Sequence, residues 1–413
     1  MPNTVLTPTQ VTREALRILH QKLNFIGRVN RQYDSEFGQR GNKIGQSLLV
    51  RLPNKYTAST GRVITPQDTT ERSVTLPVAT QYNVPMQFTS AELGMSIDNF
   101  SSRILDPAMA VLAAKIEGDF LASVVPQVAN MVGTATSGGS PVNAFATILQ
   151  ARKYITDNLA PLSNRTVCLS TQHSVDLTDA LKGLFQDSEE IADQYREGKI
   201  GRAGGFDFYE NTLLPRQTPG TVSGTPLTNG ATQGTATGWA SSGSIATDGW
   251  SNSQTVLKAG DVFTIAGCFE VHPETKAALP YLKRFVASAD LTSNGSGQIA
   301  ATTFYPALIY GGPYQNVSSS AADNSAIVIV GSPTASTAYG QSLAFHKDAF
   351  IFATGKLQMP KGIDFGAQEE YDGIGMRIVS DYDVTNDLFI TRADVLCGWV
   401  TSYQELACRI AGN

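Results

Sequence analysis

The chain is short of charge. Asp, Glu, Lys and Arg make up 16% of its 413 residues, where about 25% is usual for a soluble domain. Ser, Thr, Asn, Gln and Gly fill the gap, a surface better suited to β-structure and broad subunit contacts than to a free monomer. Cysteine is scarce: Cys168, Cys268, Cys397 and Cys408 lie far apart with no CxxC pair. That excludes a disulfide framework or a zinc ribbon, and reduced thiols in a cytosol are expected. The four histidines, His20, His173, His272 and His346, form no HxH, HxxxH or HExxH pattern, so no His-rich metal site is expected. No run of about 18 apolar residues is present, so no membrane helix is expected. Met1–Gln10 is polar and contains proline, unlike a secretion signal.

What is present is ordinary globular material, 42% hydrophobic, long enough for two or three domains. Its charge is uneven. Residues 1–60 carry nine Lys and Arg against three acids, and the remaining residues carry 22 against 33. A basic head on an acidic body suggests head-to-body contacts between copies, or weak attraction to a polyanion.

Thr7-Pro8 reads as a helix cap and first-turn proline. Val11, Ala15, Ile18, Leu19, Leu23 and Ile26 then recur at spacings of three and four, which predicts an amphipathic helix ending near Gly27. A polar stretch from Tyr33 to Gly45 follows, so its apolar stripe is expected to bury on something distant, such as another subunit. Leu48, Val50 and Leu52 share one parity. Val74, Leu76, Val78, Tyr82, Val84, Met86 and Phe88 share even positions, which predicts long extended strands. The polar tip between them holds Lys55, Arg62, Asp68, Glu71 and Arg72. A two-stranded arm has no core of its own and needs a cover from elsewhere.

Asp106-Pro107 predicts a second helix of about 25 residues, bent at Gly118 or Pro126. Helices around Phe145–Leu159, Gln172–Phe185 and Ser188–Glu197 and a strand at Thr166–Leu169 make this part α+β. Residues 217–340 hold only ten charged residues among 124. Their short strand-like runs between Gly, Ser and Asn turns predict an inserted all-β barrel or sandwich.

No constellation argues for an enzyme, a metal or a cofactor. His173, Ser174 and Asp176 have triad residue types without triad geometry. His346 with Cys397 is the one thiol–imidazole candidate. Gly201, Gly204 and Gly205 around Arg202 lack the phosphate-loop pattern. Glu369, Glu370 and Asp372 read as a solvated acidic loop rather than a cation site.

Four segments, in order, carry a resemblance: IADQYREGKIGRAGGFDFYENTLLP (191–215), LKAGDVFTIAG (257–267), SLAFHKDAFIFATGKLQMPKG (342–362) and MRIVSDYDVTNDLFITRADVLCGWVTSYQELACRI (376–410). Together they resemble the coat protein family of short-tailed bacteriophages typified by a Salmonella phage coat protein with an inserted domain. The resemblance implies an α+β fold of Hong Kong 97 type. It implies an N-terminal arm at 1–45, an extended loop at 46–90, a peripheral domain with the long helix at 91–144, and an axial domain at 145–216 and 341–395. The inserted barrel would be 217–340, and 396–413 would return to the peripheral domain.

It implies a major capsid protein of the virion whose copies form hexamers and pentamers of an icosahedral shell around double-stranded DNA. A scaffolding protein, a portal and a decoration protein are the other partners it suggests; no cofactor is implied. On this reading Lys55, Arg62, Glu71 and Arg72 are candidate contacts with a neighbouring subunit. Arg13, Arg17, Lys22 and Arg28 are candidates to face the interior, DNA or scaffold. The residues alone leave open a capsid-fold host compartment, a β-rich adhesin built on the insert, and a Cys/His hydrolase.

Overall fold

The computed structural model describes residues 8–34, 47–58, 60–62, 66, 71–89, 101–135, 145–181, 201–221, 223–363, 365–383 and 388–412. The expected cap at Thr7, the helix expected at Ser188–Glu197, Asp68 and most of the polar stretch to Gly45 lie outside them. Two compact units divide the chain. The first takes Met1–Val50, Ser73–Phe120 and Phe350–Ser402; the second takes Arg51–Arg72, Leu121–Ala349 and Tyr403–Asn413.

The first unit is built on an open sheet. Strands β1 (Asn30–Asp34), β18 (Phe350–Gly355), β21 (Leu388–Thr401), β20 (Ile374–Asp383) and β19 (Phe365–Tyr371) follow one another in that order, and β4 (Thr80–Thr89) also pairs with β21. The 14-residue β21 serves two neighbours along one edge: Leu388–Cys397 pairs with β4 and Leu396–Thr401 with β18. The even-position run forms two strands, β3 (Arg72–Pro77) and β4. Leu76, Val78 and Met86 are buried while Thr75, Pro77, Asn83 and Pro85 are exposed, the alternation that period two requires.

Helix α1 (Pro8–Lys22) packs Val11, Ala15, Leu16, Ile18 and Leu19 against its own chain at β19 and β20. This corrects the expectation that the stripe needs another subunit. The β19–β20 hairpin offers an apolar face with acids at its rim, which matches the helix in both shape and charge. Helix α2 (Asp106–Val124) spans 19 residues, about 28 Å. It continues from a π-helical turn at Ser101–Leu105 and ends before Pro126, which sits in a 3-10 turn where its missing N–H costs nothing. From α2, Phe120 enters an aromatic cluster with Phe25, Phe352 and Trp399, at ring-centroid distances of 5.2, 5.8 and 5.3 Å. Strand β2 (Ser47–Leu52) and β3 form a separate two-stranded ribbon. Its base is covered within the unit: Leu48, Val50, Leu76 and Val78 pack on Ile351, Ala353, Leu357 and Leu396.

The second unit holds two sheets. One runs β5 (Met131–Gly133), β22 (Ala407–Gly412), β17 (Gly340–His346), β6 (Arg165–Leu169), β8 (Phe206–Glu210), β7 (Arg202–Ala203). Helices α3 (Phe145–Asp157) and α4 (Thr171–Leu181) bury Ile148, Ile155 and Leu177 with Val167, Leu169, Phe206 and Ile410. The other sheet, in the insert, runs β16 (Ile327–Ile329), β12 (Val262–Val271), β13 (Ala278–Ala287), β15 (Ile299–Tyr305), β10 (Gly243–Trp250), β9 (Gly224–Thr228). The Leu227–Ala326 bridge joins its two end strands, so the six strands close into a barrel around Phe263, Phe285 and Phe304. A small pair, β11 (Thr255–Leu257) with β14 (Leu291–Thr292), accompanies it.

Residues Phe350–Ser402 belong with the long helix, and Tyr403–Asn413 with β17. Ala407–Gly412 is buried along its whole length and is a central strand between β17 and β5.

Candidate subunit-contact surfaces

The ribbon and the segment at its far end carry four of the sequence-predicted residues, and the structure treats them differently. Arg72 shares parity with Val74 and Leu76, so it points inward. It is 6% exposed, donates through Nε and Nη2 to the Pro53 carbonyl at 3.3 and 3.1 Å, and lies 5.3 Å from the Tyr314 ring centre. Glu71, one residue out of phase, is exposed and 3.5 Å from Arg51. Arg62 is exposed. Lys55 is half-buried beside Arg72, and desolvation holds its ammonium below the ordinary range.

Two exposed apolar residues lie beyond the four expected contacts. Leu49 is 60% exposed and Tyr56 59% exposed. The signal for Leu49 was present: it is apolar but out of phase with Leu48, Val50 and Leu52. Exposed aromatic and aliphatic side chains beside Arg are the composition from which protein contacts are made.

The basic residues of the head meet acids of their own chain. Arg13 lies 3.4 Å from Glu369, Lys22 3.1 Å from Asp106, and Arg17 2.6 Å from Glu14 one turn away. Asp372 takes His20 at 2.9 Å and Arg31 at 2.7 Å, and these bonds hold its carboxyl below the usual range. The head-to-body attraction inferred from charge is therefore present within one chain at the pairs that reach Glu369, Asp106 and Asp372. Glu369 and Asp372 are not a free acidic loop. Arg28 is exposed at the end of the turn after α1. All four predicted bases keep solvent on one side.

The buried polar groups explain the sequence motifs better than any chemistry does. In the LKAGDVFTIAG segment, Asp261 accepts N–H bonds from Gly220 and Lys258 and one from Gln217 Nε2. Gly260 has φ +93°, and a Cβ there would lie 2.7 Å from Gln217 Oε1. Its carbonyl accepts from Arg409 Nη2 at 2.8 Å, while Arg409 Nη1 reaches Gln341. Burial lowers the pKa of this guanidinium. Gln217 and Tyr339 bond to each other at the base of the insert. The Gly-Asp pair thus ties both ends of the insert to β22 and β17.

The weak chemical candidates resolve into structure. His173 is buried with Nδ1 2.6 Å from Ser342 Oγ, and burial lowers its pKa to about 4. Asp176 instead accepts from Gln172 one turn away. His346 faces Asp348 at 3.6 Å, and Cys397 is a buried thiol with its pKa pushed up. Gly204 and Gly205, both with positive φ, form the two-residue turn of the β7–β8 hairpin rather than a phosphate loop. Among the described residues no cluster of His, Cys, Asp and Glu is placed to hold a metal ion, and no helix is long and apolar enough to cross a membrane.

Residues 64–408 match the family model described as P22 coat protein, gene protein 5, and the chain belongs to that family. It is a phage coat protein, a structural subunit that self-assembles into the capsid shell and resides in the virion. The mixed α+β fold described above is of the Hong Kong 97 type.

Among solved structures the chain is similar to one from Mycobacterium phage Che8 (12% identity, 93% of this chain, 89% of that chain, TM-score 0.44). It is also similar to the bacteriophage PhiM1 mature capsid (11%, 92%, 85%, 0.41). A quarter of the chain, 26%, is similar to 97% of the CUS-3 coat protein I-domain at 23% identity and TM-score 0.20. No curated protein matches it.

Proposed function

We propose that this coat protein is the major capsid subunit of an icosahedral head, closing into hexamers and pentamers around double-stranded DNA. Its activity is assembly, without a reaction. Exposed Leu49 in the first unit, and exposed Tyr56, Arg62 and Glu71 in the second, each meet a neighbouring copy. Lys55 and Arg72 shape the segment from within. The observation that carries this reading is the ribbon itself: its base is packed on its own chain while these apolar and charged groups stay in water. Repeated over a shell, many such contacts make the particle durable.

Arg13, Arg17, Lys22 and Arg28 lie on the solvent side of α1 and the turn after it, which suits an inward surface for scaffold or DNA. A scaffolding protein guides closure, and a portal and a decoration protein complete the head. The test is electron microscopy of the purified chain with and without its scaffolding protein. Closed shells with six- and five-fold rings are expected, and Arg62→Glu is expected to lower their yield. Open sheets or single copies only, from a folded chain, would overturn the reading.

A further inference from the structure

A cavity of about 240 Å³ opens within the second unit, lined by Lys55, Arg72, Lys283, Asn158, Tyr403 and Glu405, among others. Three of these are cations, and two of them are buried: Arg72 is 6% and Lys283 4% exposed. Arg72 spends two nitrogens on the Pro53 carbonyl. Lys283 pairs with Glu270 at 2.9 Å, and Glu270 also accepts from Asn158 at 3.2 Å. Nearby Lys276 is satisfied by the carbonyls of Pro273, Pro313 and Gln315. Among the described residues no carboxylate lies within ion-pair distance of Lys55.

Among the described residues these four cations face two acids, Glu270 and Glu405, and Lys55 has no ion-pair partner in a largely apolar cavity. Burying like charges without an anion is unfavourable. Desolvation lowers the Lys55 pKa, and Arg72 and Lys283 add to this against the pull of Glu405. Lys276 is brought down to about 8 by desolvation and by Lys55.

We propose that this cavity binds a single oxyanion group, phosphate or carboxylate, with Lys55 as its principal partner and Arg72 and Lys283 setting the positive field. The site is a property of the folded chain and stands whether or not the copies assemble. Two sources fit the chemistry: free phosphate, or an acidic side chain of another protein chain.

Calorimetric titration of the unassembled full chain with inorganic phosphate, at ionic strength matched by chloride, tests it. One saturable site per chain is expected. Lys55→Met, which keeps the apolar stem, should weaken it at least tenfold, whereas Lys55→Arg should retain it within a few-fold. The exposed Lys356→Met should change nothing. Assembled shells separate the sources. Retained phosphate binding after assembly indicates a free anion. Binding lost on assembly, with reduced heat stability of Lys55→Met shells, indicates a neighbouring carboxylate. No saturable binding, or equal binding by folded wild type and Lys55→Met, would overturn the proposal.

Discussion

The inserted barrel and the sheet of the first unit both bury a cluster of aromatic rings, yet they end their sheets in different ways. In the barrel, Leu227 meets Ala326 and the six strands close, so every strand has neighbours on both sides. In the first unit the order from β1 to β19 stays open, and the β2–β3 ribbon is only two strands wide. A closed sheet has no edge to offer and folds as its own core; an open sheet and a bare ribbon leave backbone groups for a partner. Under the proposed function, adhesion belongs to the open parts of this chain and self-sufficiency to the closed one.

The largest test of that contrast is to empty each core in turn. Phe120→Ala and Phe304→Ala should each cost about 3–5 kcal/mol. Hydrogen exchange should show protection lost from the first unit in Phe120→Ala while the barrel stays protected, and the reverse in Phe304→Ala. Loss of protection in both regions from either substitution would break the contrast.

Next comes pH, on which the two units should respond with opposite sign. Burial raises the Glu117 carboxyl from 4.5 to about 7, although it accepts N–H bonds from Phe25 and Ile26. Between those values the folded chain holds a proton that the unfolded chain has released. First-unit stability therefore falls as pH rises from 4.5 to 7, by up to about 3 kcal/mol at ~1.4 kcal/mol per unit. Glu117→Gln should abolish that slope. His173 is the converse: its folded value of about 4 lies below 6.5, so the unfolded chain takes the proton first. Second-unit stability should fall, by a similar amount, as pH drops from 6.5 to 4. Exchange protection measured unit by unit at pH 5 and pH 8 reads both slopes.

A smaller effect is expected at the base of the barrel. Gly260→Ala forces a side chain into a left-handed backbone and against Gln217, costing about 1–3 kcal/mol in a urea melt. The smallest is on the surface. Arg17→Ala removes an exposed pair with Glu14 and should change the melt by no more than about 0.5 kcal/mol.

Local periodicity made most of the elements legible. The three-and-four spacing from Val11 gave α1, the even positions from Val74 gave β3 and β4, and the drop in charge after residue 217 marked the barrel. Pairing over long separations was not legible. Nothing local says that Ala407–Gly412 lies between β17 and β5, because an apolar, extended segment could join many strands. Nor did α1's stripe name its cover; the β19–β20 hairpin lies more than 340 residues away. At the candidate surface Arg72, expected to contact a neighbouring subunit, is instead buried, and the exposure of Leu49 was not expected; strand parity accounts for both only once the buried face is known. The Lys55 cavity needed the fold, since Lys55, Lys283 and Glu405 come from three distant segments.

The central claim is that exposed groups of the ribbon and of the segment after it are covered by another copy. The most direct measurement is a cryo-electron microscopy map of the assembled shell. The account predicts that Leu49, Tyr56 and Arg62 lose their solvent exposure against a neighbouring subunit. A closed shell in which all three still face water would contradict it.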